Sequence, residues 1–515
     1  IIFKNGTKEF FYSRARARIV RTAVTSDKAF NVFNYLQEIA DTVGLKTEEG
    51  NNILWGSYQS IGQIPEESIL SSFLNGTLPK ENNHYPNPVF FPFGFNLSQR
   101  NAVNLTFANK LNVIEGPPGT GKTQTILNII ANAVLNRQSV AVVSSNNSAT
   151  KNVYEKLEKN RIEFIAALLG NSQNKKEFID SQKEIPDLSQ FNLSDNEKAK
   201  LKEKSTMLVT QLSENLDKKN ELALLKLELE NIKTEYEHFK ETYKDKTEKT
   251  VSFKRNTKSE KILEFWVTLE ALANRHKKIG FIRKLIFRFK YGIKDKSFYT
   301  NTIDEMIFIC QLNYYPSKIC ELTERIDFLV NSLNAFAFDY KMQEYTKMSL
   351  QLLKAELHKR YYQKKRERYT ISELRYKSNE FIKDYPVIMS TTYSLRQSLS
   401  DRISYDYVII DESSQVDLAT GALALSCAKR AVIVGDIKQL PNVVDANIQE
   451  KTDLIFNSYK LQKPYRYSDH SLLSSILELF PNVPKTLLRE HYRCHPKIID
   501  FCNKKFYDNQ LIIHT

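Results

Sequence analysis

Short apolar runs that end in small or polar residues recur along the chain and predict a set of buried strands. One run ends at Val113 and Ile114, and the others lie within residues 139–145, 387–392, 405–415 and 430–444. After the first run, residues 126–135 place apolar side chains at helical spacing, so strand and helix alternate there. The pattern predicts an α/β fold whose strands are buried in a parallel sheet.

Residues 158–383 follow a different pattern, rich in lysine and glutamate and periodic over long helical stretches. We expect these residues to form an antiparallel helical arm, a coiled coil that leaves the sheet domain and returns to it. Two stripes of apolar residues at spacings of three and four support this: Leu222, Leu225, Leu229, Ile232, Tyr236, Phe239 and Tyr243, then Leu322, Ile326, Leu329, Leu333, Phe336 and Tyr340. The stripes indicate packing between helices and carry no chemistry.

A basic and aromatic segment, residues 276–296, lies between the two stripes. Its cations, Lys277, Lys278, Arg283, Lys284, Arg288 and Lys290, alternate with Phe281, Ile282, Leu285, Ile286, Phe287 and Phe289. Such a segment fits contact with nucleic acid, a membrane surface or a protein partner. It also fits a helix that packs its apolar side on the arm and leaves its lysines in water.

Composition narrows the class of protein. The formal net charge of +14 favours an anionic partner, with nucleic acid the first candidate, although a lysine-rich composition explains it equally well. The five cysteines are scattered and form no C-x-x-C pair, which argues against disulfides and zinc and fits a reducing cytoplasm. The sequence contains no transmembrane segment, because no stretch approaches 18 apolar residues. We expect a cytoplasmic protein.

A glycine-rich loop follows the first apolar run. Residues 116–123 read G-x-x-x-x-G-K-T, with a predicted strand before them and a predicted helix after them. Gly116, Gly119 and Gly121 allow backbone N–H groups to curl around a phosphate, and the helix N-terminus favours an anion. Lys122 can reach the β- and γ-phosphates of a nucleotide, and the Thr123 hydroxyl can hold Mg²⁺.

Two adjacent acids, Asp411 and Glu412, end the run at 405–415. Unpaired carboxylates at the end of a buried strand are costly to desolvate, so this placement favours a function over a structural role. Asp411 suits a Mg²⁺ ion, and Glu412 suits the general base that deprotonates an attacking water.

Other polar residues are weaker candidates. Ser145, Asn146 and Thr391 follow predicted strands, at the sheet edge where ligands bind in α/β folds, although ordinary polar turns explain them equally well. Gln99 precedes the loop by about twenty residues, near a helix start where Ser98 is the predicted N-cap. Gln439 can sense a γ-phosphate, and Arg493 can act as an arginine finger, although it reads equally as a surface arginine.

Seven short stretches together resemble superfamily 1B helicases, the group of the nonsense-mediated-decay helicase and its bacterial AAA-type relatives. They occur in the order of that family: NLSQRNAV (96–103), GPPGTGKTQT (116–125), SSNNSA (144–149), STT (390–392), DESSQ (411–415), GDIKQLP (435–441) and HYRCHP (491–496). The resemblance implies two RecA-like domains with ATP between them and 5′ to 3′ movement along single-stranded DNA or RNA.

Site roles follow from the resemblance, position by position. The nucleotide would be held by Gln99 at its adenine and by the loop residues Gly116, Pro117, Pro118, Gly119, Thr120, Gly121, Lys122, Thr123 and Gln124. Thr123 and Asp411 would hold Mg²⁺, and Glu412 would be the catalytic base beside Lys122. Gln439 and Arg493 would contact the γ-phosphate, and Ser145, Asn146 and Thr391 would line the nucleic-acid track.

The resemblance also implies a domain division. We expect an N-terminal accessory region at 1–95, a first RecA-like domain split into 96–157 and 384–482, the helical arm at 158–383, and the start of a second RecA-like domain at 483–515. The later motifs of the family are absent from these 515 residues. We therefore expect this chain to be an incomplete core that binds ATP but hydrolyses it slowly.

A second hypothesis keeps the fold but changes the function. In it the protein is an ATP-driven conformational switch or scaffold in a multi-protein or defence system, without unwinding activity. The helical arm would then report the nucleotide state to a protein partner.

The sequence departs from the family pattern at Ser144, Asn442 and His491. We expect these departures to affect the coupling of ATP hydrolysis to movement more than ATP binding.

Overall fold

The computed structural model describes residues 22–46, 50–79, 88–243, 253, 257–276, 279–293, 295 and 297–514. The basic cluster at Arg14–Arg21 and part of the 276–296 segment, including Lys277 and Lys278, lie outside these residues. The chain divides into two compact units, residues 1–210 with 342–489 and residues 211–341 with 490–515. Each unit is described by itself.

The first unit is built on a parallel sheet of seven described strands. These are Leu111–Glu115 (β1), Val140–Ser144 (β2), Ala166–Leu168 (β3), Val387–Thr391 (β4), Tyr405–Ile410 (β5), Ala428–Gly435 (β6) and Lys485–Leu487 (β7). Their spatial order is β3-β4-β2-β5-β6-β1-β7, and every neighbouring pair is parallel. The predicted α/β fold with a parallel sheet is confirmed.

Helices cover the sheet and form most of the remaining described structure. They are Asp27–Val43 (α1), Ile53–Gln59 (α2), Ile69–Asn75 (α3), Leu97–Ala108 (α4), Lys122–Leu135 (α5), Asn147–Lys159 (α6), Ser172–Asp180 (α7), Asp195–Thr242 (α8), Ser259–Ala273 (α9), Phe281–Lys290 (α10), Ile303–Phe336 (α11), Phe338–Tyr361 (α12), Glu373–Tyr376 (α13), Ser378–Asp384 (α14), Leu395–Ser398 (α15), Leu418–Leu425 (α16), Ala446–Tyr459 (α17), Leu472–Leu479 (α18) and Pro496–Phe506 (α19). None of the described helices is long and apolar enough to cross a membrane.

The central strands are apolar because both of their faces are covered. Every residue of β2 is buried, and β5 is buried except at Asp406. Register is fixed by direct pairing, with Val143 opposite Ile410 across β2 and β5, and Ile114 opposite Val434 across β1 and β6. As a result, the carboxyl ends of β1, β5 and β6 lie side by side, where the glycine-rich loop and the two acids begin.

The sheet extends beyond the limits predicted for the first RecA-like domain. β3 falls within the residues assigned to the helical arm, and β7 falls within those assigned to a second domain. Both strands have only three residues, too few for an apolar run to reveal them. The arm is therefore inserted in the sequence between β3 and β4. These two strands pair directly in the sheet, with Ala166 opposite Val387.

The helices α1–α3 share one hydrophobic core with the sheet. Buried tyrosines fix this contact, since Tyr58 donates a 2.7 Å hydrogen bond to the Ala419 carbonyl and Tyr465 donates one of 2.5 Å to Phe73. Tyr35 accepts from the Tyr467 amide at 3.1 Å. The described part of residues 1–95 is thus part of the first unit.

In the second unit, α8 and α11 pack on each other where the first predicted stripe meets Leu322 of the second, whereas Tyr340 of the second stripe lies in α12 and is exposed. Ile232, Phe239, Tyr315 and Leu322 form a buried cluster in which Tyr236 stacks on Tyr315 with ring centroids 5.4 Å apart. Ion pairs border the seam, including Arg325 with Glu221 and Lys318 with Glu228, each at 2.7 Å. Near the turn of the arm, Phe265 and Phe298 centre a second cluster with α9, α10 and α11. A short parallel pair, Glu490–His491 (β8) and Ile512–Ile513 (β9), completes the unit.

Candidate active site

The glycine-rich loop connects the end of β1 to the start of α5, as the sequence predicts. Gly119 and Gly121 have φ values of +96° and +87°, in the region that favours glycine. A Cβ on Gly121 would lie 2.1 Å from Gln99 Nε2, so a side chain there would also displace the Gln99 amide. Thr120 is fully buried and its hydroxyl donates to the Pro117 carbonyl at 2.8 Å, which closes the loop on itself.

Lys122 points into this loop. Its ammonium group donates a 2.9 Å hydrogen bond to the Gly116 carbonyl and lies 3.8 Å from Glu412 Oε1. The side chain is only 10% exposed. Since a buried cation needs compensating oxygen atoms, this position suits the binding of further anionic oxygens. Thr123 is half-buried at the next position of the helix, and the rim of the loop includes the exposed Pro118.

Asp411 and Glu412 follow β5 directly opposite this lysine. The Glu412 amide donates to Asp411 Oδ1 at 2.9 Å, and Glu412 itself is left-handed at φ +50°, ψ +40°. A left-handed non-glycine residue is strained, and such strain is concentrated at functional sites. Among the described residues, Glu412 Oε2 is buried without a hydrogen-bond partner, so its bonding capacity is open.

The electrostatics of the pair follow from burial. Burial raises the pKa of Asp411 from 3.8 to about 6, and the neighbouring charge of Glu412 adds to the effect. The ammonium group of Lys122 and the Glu412 amide act in the opposite direction. Two carboxylates and one ammonium group leave the site short of positive charge, which favours a cation there.

A resident Mg²⁺ ion is compatible with these residues. The described residues contain no group of three or more His, Cys, Asp and Glu side chains placed to hold a metal. Mg²⁺ is bound in phosphate-transferring sites by one or two protein oxygens and keeps phosphate and water as its other ligands. The buried carboxylate of Asp411 and the hydroxyl of Thr123 are donors of that kind.

Gln99 braces the loop from behind. It is 1% exposed, and its Nε2 donates to the carbonyls of Thr120 and Gly121 at 3.2 and 3.4 Å and to Gln124 Oε1 at 3.2 Å. It also closes a capping box with Asn96, whose side chain accepts from the Gln99 amide. The prediction that Ser98 caps this helix is wrong, because Asn96 is the N-cap and Ser98 lies within the first turn.

A second polar contact supports the end of β6. Gln439 is half-buried, and its Nε2 donates to Asp436 Oδ2 at 3.1 Å. Asp436 is buried at the first position after β6, so it fixes the direction of the Gln439 side chain. β6 lies between β1 and β5, which places this pair at the same sheet edge as Lys122 and Glu412.

The predicted nucleic-acid residues lie on two neighbouring strands. Ser145 and Asn146 follow β2, Thr391 ends β4, and Ser144 pairs with Thr391 in the register of the two strands. Ser145 and Asn146 are exposed and Thr391 is half-buried. Asn146 also caps α6 by accepting from the amides of Ser148 and Ala149, and Thr391 accepts from the Ser394 amide at 3.2 Å. Capping accounts for part of their chemistry without a ligand.

A ladder of amides on α5 is a feature that the sequence analysis missed. Gln124, Asn128 and Asn132 follow one another at intervals of four and hold residues 90–94 against the helix. Asn132 accepts from the Phe90 amide at 2.9 Å and donates to its carbonyl at 2.6 Å, and Asn128 does the same with Phe93 and Gly94 at 3.2 and 2.8 Å. The i, i+4 spacing of amides on an apolar helix was the available signal.

Arg493 lies in the second unit, in the stretch after β8, and its side chain is exposed. Its role as an arginine finger stays a prediction.

Together, the parallel sheet, the glycine-rich loop and the paired carboxylates define a P-loop domain of the RecA-like class. Residues 94–447 match the AAA_11 family, described as an AAA domain, and since this is more than half of the chain, the chain belongs to that family.

Individual relatives of the chain are named as helicases or as a DNA-binding protein. The uncharacterized ATP-dependent helicase MJ0104 of Methanocaldococcus jannaschii is 23% identical over 82% of this chain and 46% of its own length. The MG140 homolog of Mycoplasma pneumoniae, also named an uncharacterized ATP-dependent helicase, is 24% identical over 80% and 46%. DNA-binding protein SMUBP-2 of Mus musculus is 36% identical over 18% and 10%. The resemblance to superfamily 1B helicases is confirmed, and the chain spans less than half the length of each of these relatives.

Proposed function

We propose that this chain carries the ATP-binding part of a superfamily 1B helicase or translocase. The observation that supports this most strongly is the approach of Lys122 to Glu412, from the glycine-rich loop and from the end of β5. In this proposal the loop from Gly116 to Gln124 binds the phosphates of ATP. Lys122 gives up its hydrogen bond to the Gly116 carbonyl and binds oxygens of the β- and γ-phosphates instead.

Thr123 and Asp411 are proposed to hold Mg²⁺, which would neutralise charge on the phosphates when it is bound. Glu412 would accept the proton of the attacking water, because its Oε2 has no protein partner in the described structure. Gln439 would contact the γ-phosphate from its position beside Asp436, and Arg493 would contact it from the second RecA-like domain.

Gln99 is proposed to contact adenine, as the resemblance implies. Its amide already braces Thr120 and Gly121, so adenine binding and loop geometry would share one side chain. Nucleotide binding would therefore be sensitive to Gln99 through both the base and the phosphates.

Single-stranded nucleic acid is the proposed partner, and 5′ to 3′ movement the proposed activity of the whole protein. Ser145, Asn146 and Thr391 would contact the backbone of the strand at the ends of β2 and β4. The positive charge of the chain supports an anionic partner. The five cysteines are free thiols, which supports a reducing, cytoplasmic location.

The 515 residues by themselves are proposed to hydrolyse ATP slowly, since the later motifs of the family are not among them. The competing proposal, a switch or scaffold that acts on a protein partner through the helical arm, predicts a different response to nucleic acid. Its ATP hydrolysis would not depend on a single strand.

ATP hydrolysis and single-strand binding test the proposal together. With the complete protein, we would measure turnover with and without single-stranded DNA or RNA, beside Glu412→Gln, and the salt dependence of single-strand affinity. A helicase or translocase is expected to bind the strand with a steep salt dependence and to be stimulated by one polymer. Turnover that is indifferent to both polymers, together with no measurable single-strand binding, would contradict the proposal and favour the switch.

A further inference from the structure

Helix α10, Phe281–Lys290, presents an unusual exposed surface in the second unit. Five large apolar side chains on it are exposed to solvent: Phe281, Ile282, Leu285, Ile286 and Phe289. The two phenylalanines are 78% and 85% exposed. Exposed apolar groups of this size and density mark an interaction surface.

The five residues form one continuous stripe on the helix. They occupy positions i, i+1, i+4, i+5 and i+8, which fall on one side of an α-helix of 3.6 residues per turn. Phe287, the buried residue of the helix, projects from nearly the opposite side and packs on Phe265 with ring centroids 5.2 Å apart. The helix is therefore held by one face and leaves its broad apolar face in solvent.

Cations border the apolar stripe on both sides. Helical geometry places Arg283 and Lys290 along one edge and Lys284 and Arg288 along the other. The helix contains no acidic residue. Lys284 donates to the Tyr299 carbonyl at 2.8 Å and Lys290 pairs with Glu264 at 2.6 Å, while Arg283 is exposed.

The charge continues beyond the helix in sequence. Residues 276–296 contain eight lysines and arginines and one acid, Asp295. An apolar stripe with basic edges matches the interface of an anionic bilayer, which offers acyl chains to the stripe and negative headgroups to the edges.

We propose that α10 is a peripheral docking surface for a bilayer that carries anionic lipids. The helix would lie in the plane of the interface, with its apolar stripe at the boundary between headgroups and acyl chains. This goes beyond the proposed ATP-dependent function and does not depend on it. It would place the helicase core at a membrane surface.

Nucleic acid is a poorer match for this surface. Ile282, Leu285 and Ile286 lie between the two phenylalanines along the helix, and aliphatic side chains cannot stack on bases as aromatic ones do. A strand bound to the basic edges would leave these residues in water. A protein groove would have to be both apolar and acidic to match the same helix.

Vesicle flotation with the 515-residue chain, in the absence of nucleotide, tests the proposal. One vesicle preparation contains phosphatidylcholine alone, and the other mixes phosphatidylcholine with phosphatidylglycerol. We expect binding to the mixed vesicles only, weakened by added salt. The double variant Phe281→Ser/Phe289→Ser should lower vesicle affinity by about tenfold or more, since each phenylalanine would be removed from the interface. Arg283→Glu should lower it by about fivefold.

Folding and specificity are controlled separately. All three side chains substituted on α10 are exposed, so the circular dichroism spectra of the variants should match that of the parent chain. The control for specificity is Tyr376→Ser, which removes an aromatic residue of the first unit that is 79% exposed. That control should bind vesicles like the parent chain. The proposal would be overturned if vesicle binding is absent, is equal for the two vesicle preparations, or is unaffected by the α10 variants. Loss of oligonucleotide binding in the variants without any vesicle binding would reassign the surface to nucleic acid.

Discussion

Lys122 Nζ lies 3.8 Å from Glu412 Oε1 while it donates a 2.9 Å hydrogen bond to the Gly116 carbonyl. One ammonium group thus connects the glycine-rich loop to the strand that carries the acids. Anionic oxygens that enter the loop would compete with both contacts. The proposed catalytic base would then lose its cationic neighbour as the nucleotide binds, which leaves its carboxylate available to a water.

In the complete protein, Glu412→Gln should separate nucleotide binding from hydrolysis. We expect turnover to fall about 10²- to 10⁴-fold, because the amide cannot accept the proton of the attacking water. Affinity for ATP should be unchanged or higher, because the amide carries no negative charge. Steady-state turnover and binding of a fluorescent ATP analogue measure the two effects.

The matched control is Glu450→Gln, at an exposed glutamate on α17. It should leave both turnover and affinity unchanged. Equal loss of affinity and turnover in the Glu412 variant would show that this side chain supports the structure of the site, and would contradict its role as a base.

Asp411→Asn should stabilise the protein in metal-free buffer at neutral pH. The pKa of Asp411 is raised from 3.8 to about 6, so the folded state binds a proton more tightly than the unfolded chain does. Above pH 6 the folded protein carries a buried charge that asparagine lacks, and we expect a gain of about 1–3 kcal/mol in unfolding free energy.

The sign of the effect makes it testable by pH. The gain should shrink as the pH falls through 6 and vanish below about 3.8, where the carboxyl is neutral in both states. Urea unfolding at several pH values gives the profile. If the variant is less stable than the parent at pH 8, burial of the charge does not dominate the pKa of Asp411.

Asn132→Leu should destabilise the first unit. Asn132 is buried and satisfies both the amide and the carbonyl of Phe90, so the substitution leaves two buried backbone groups without partners. We expect a loss of about 2–4 kcal/mol, measured by urea unfolding. Asn136→Ala, at an exposed position on the end of the same helix, should change stability by less than about 0.5 kcal/mol.

Gln99→Ala should weaken the binding of both ATP and GTP, and ATP more strongly. The shared part arises because Gln99 braces the carbonyls of Thr120 and Gly121, which shape the phosphate loop for any nucleotide. The additional part tests the proposed adenine contact. Equal losses for the two nucleotides would restrict Gln99 to the support of the loop.

Much of the site was predictable because its chemistry is local in sequence. The glycine-rich loop and the pair Asp411 and Glu412 each lie at the end of an apolar run, and the parallel sheet brings these ends together. The approach of Lys122 to Glu412 follows from that topology, although its distance does not.

Other features depended on contacts between distant residues. β3 and β7 are held by pairing with the five-residue strands β4 and β1, and their own three residues carry little pattern. Asn96 is the N-cap because Gln99, three residues later, completes the capping box. Ser98 lies two residues further along, inside the helix. The amide ladder on α5 required knowing that residues 90–94 return to that helix.

The order of the strands has a consequence for synthesis on the ribosome. Within the described sheet, no two of β1, β2 and β3 are neighbours, since β1 pairs with β6 and β7, β2 with β4 and β5, and β3 with β4. β2 and β3 therefore wait for β4 until residues 169–386 have been translated, about ten to forty seconds at typical rates, and β1 waits longer, until β6 is made. During this interval the nascent chain carries unpaired apolar strands, so we expect it to benefit from chaperone protection before the sheet closes.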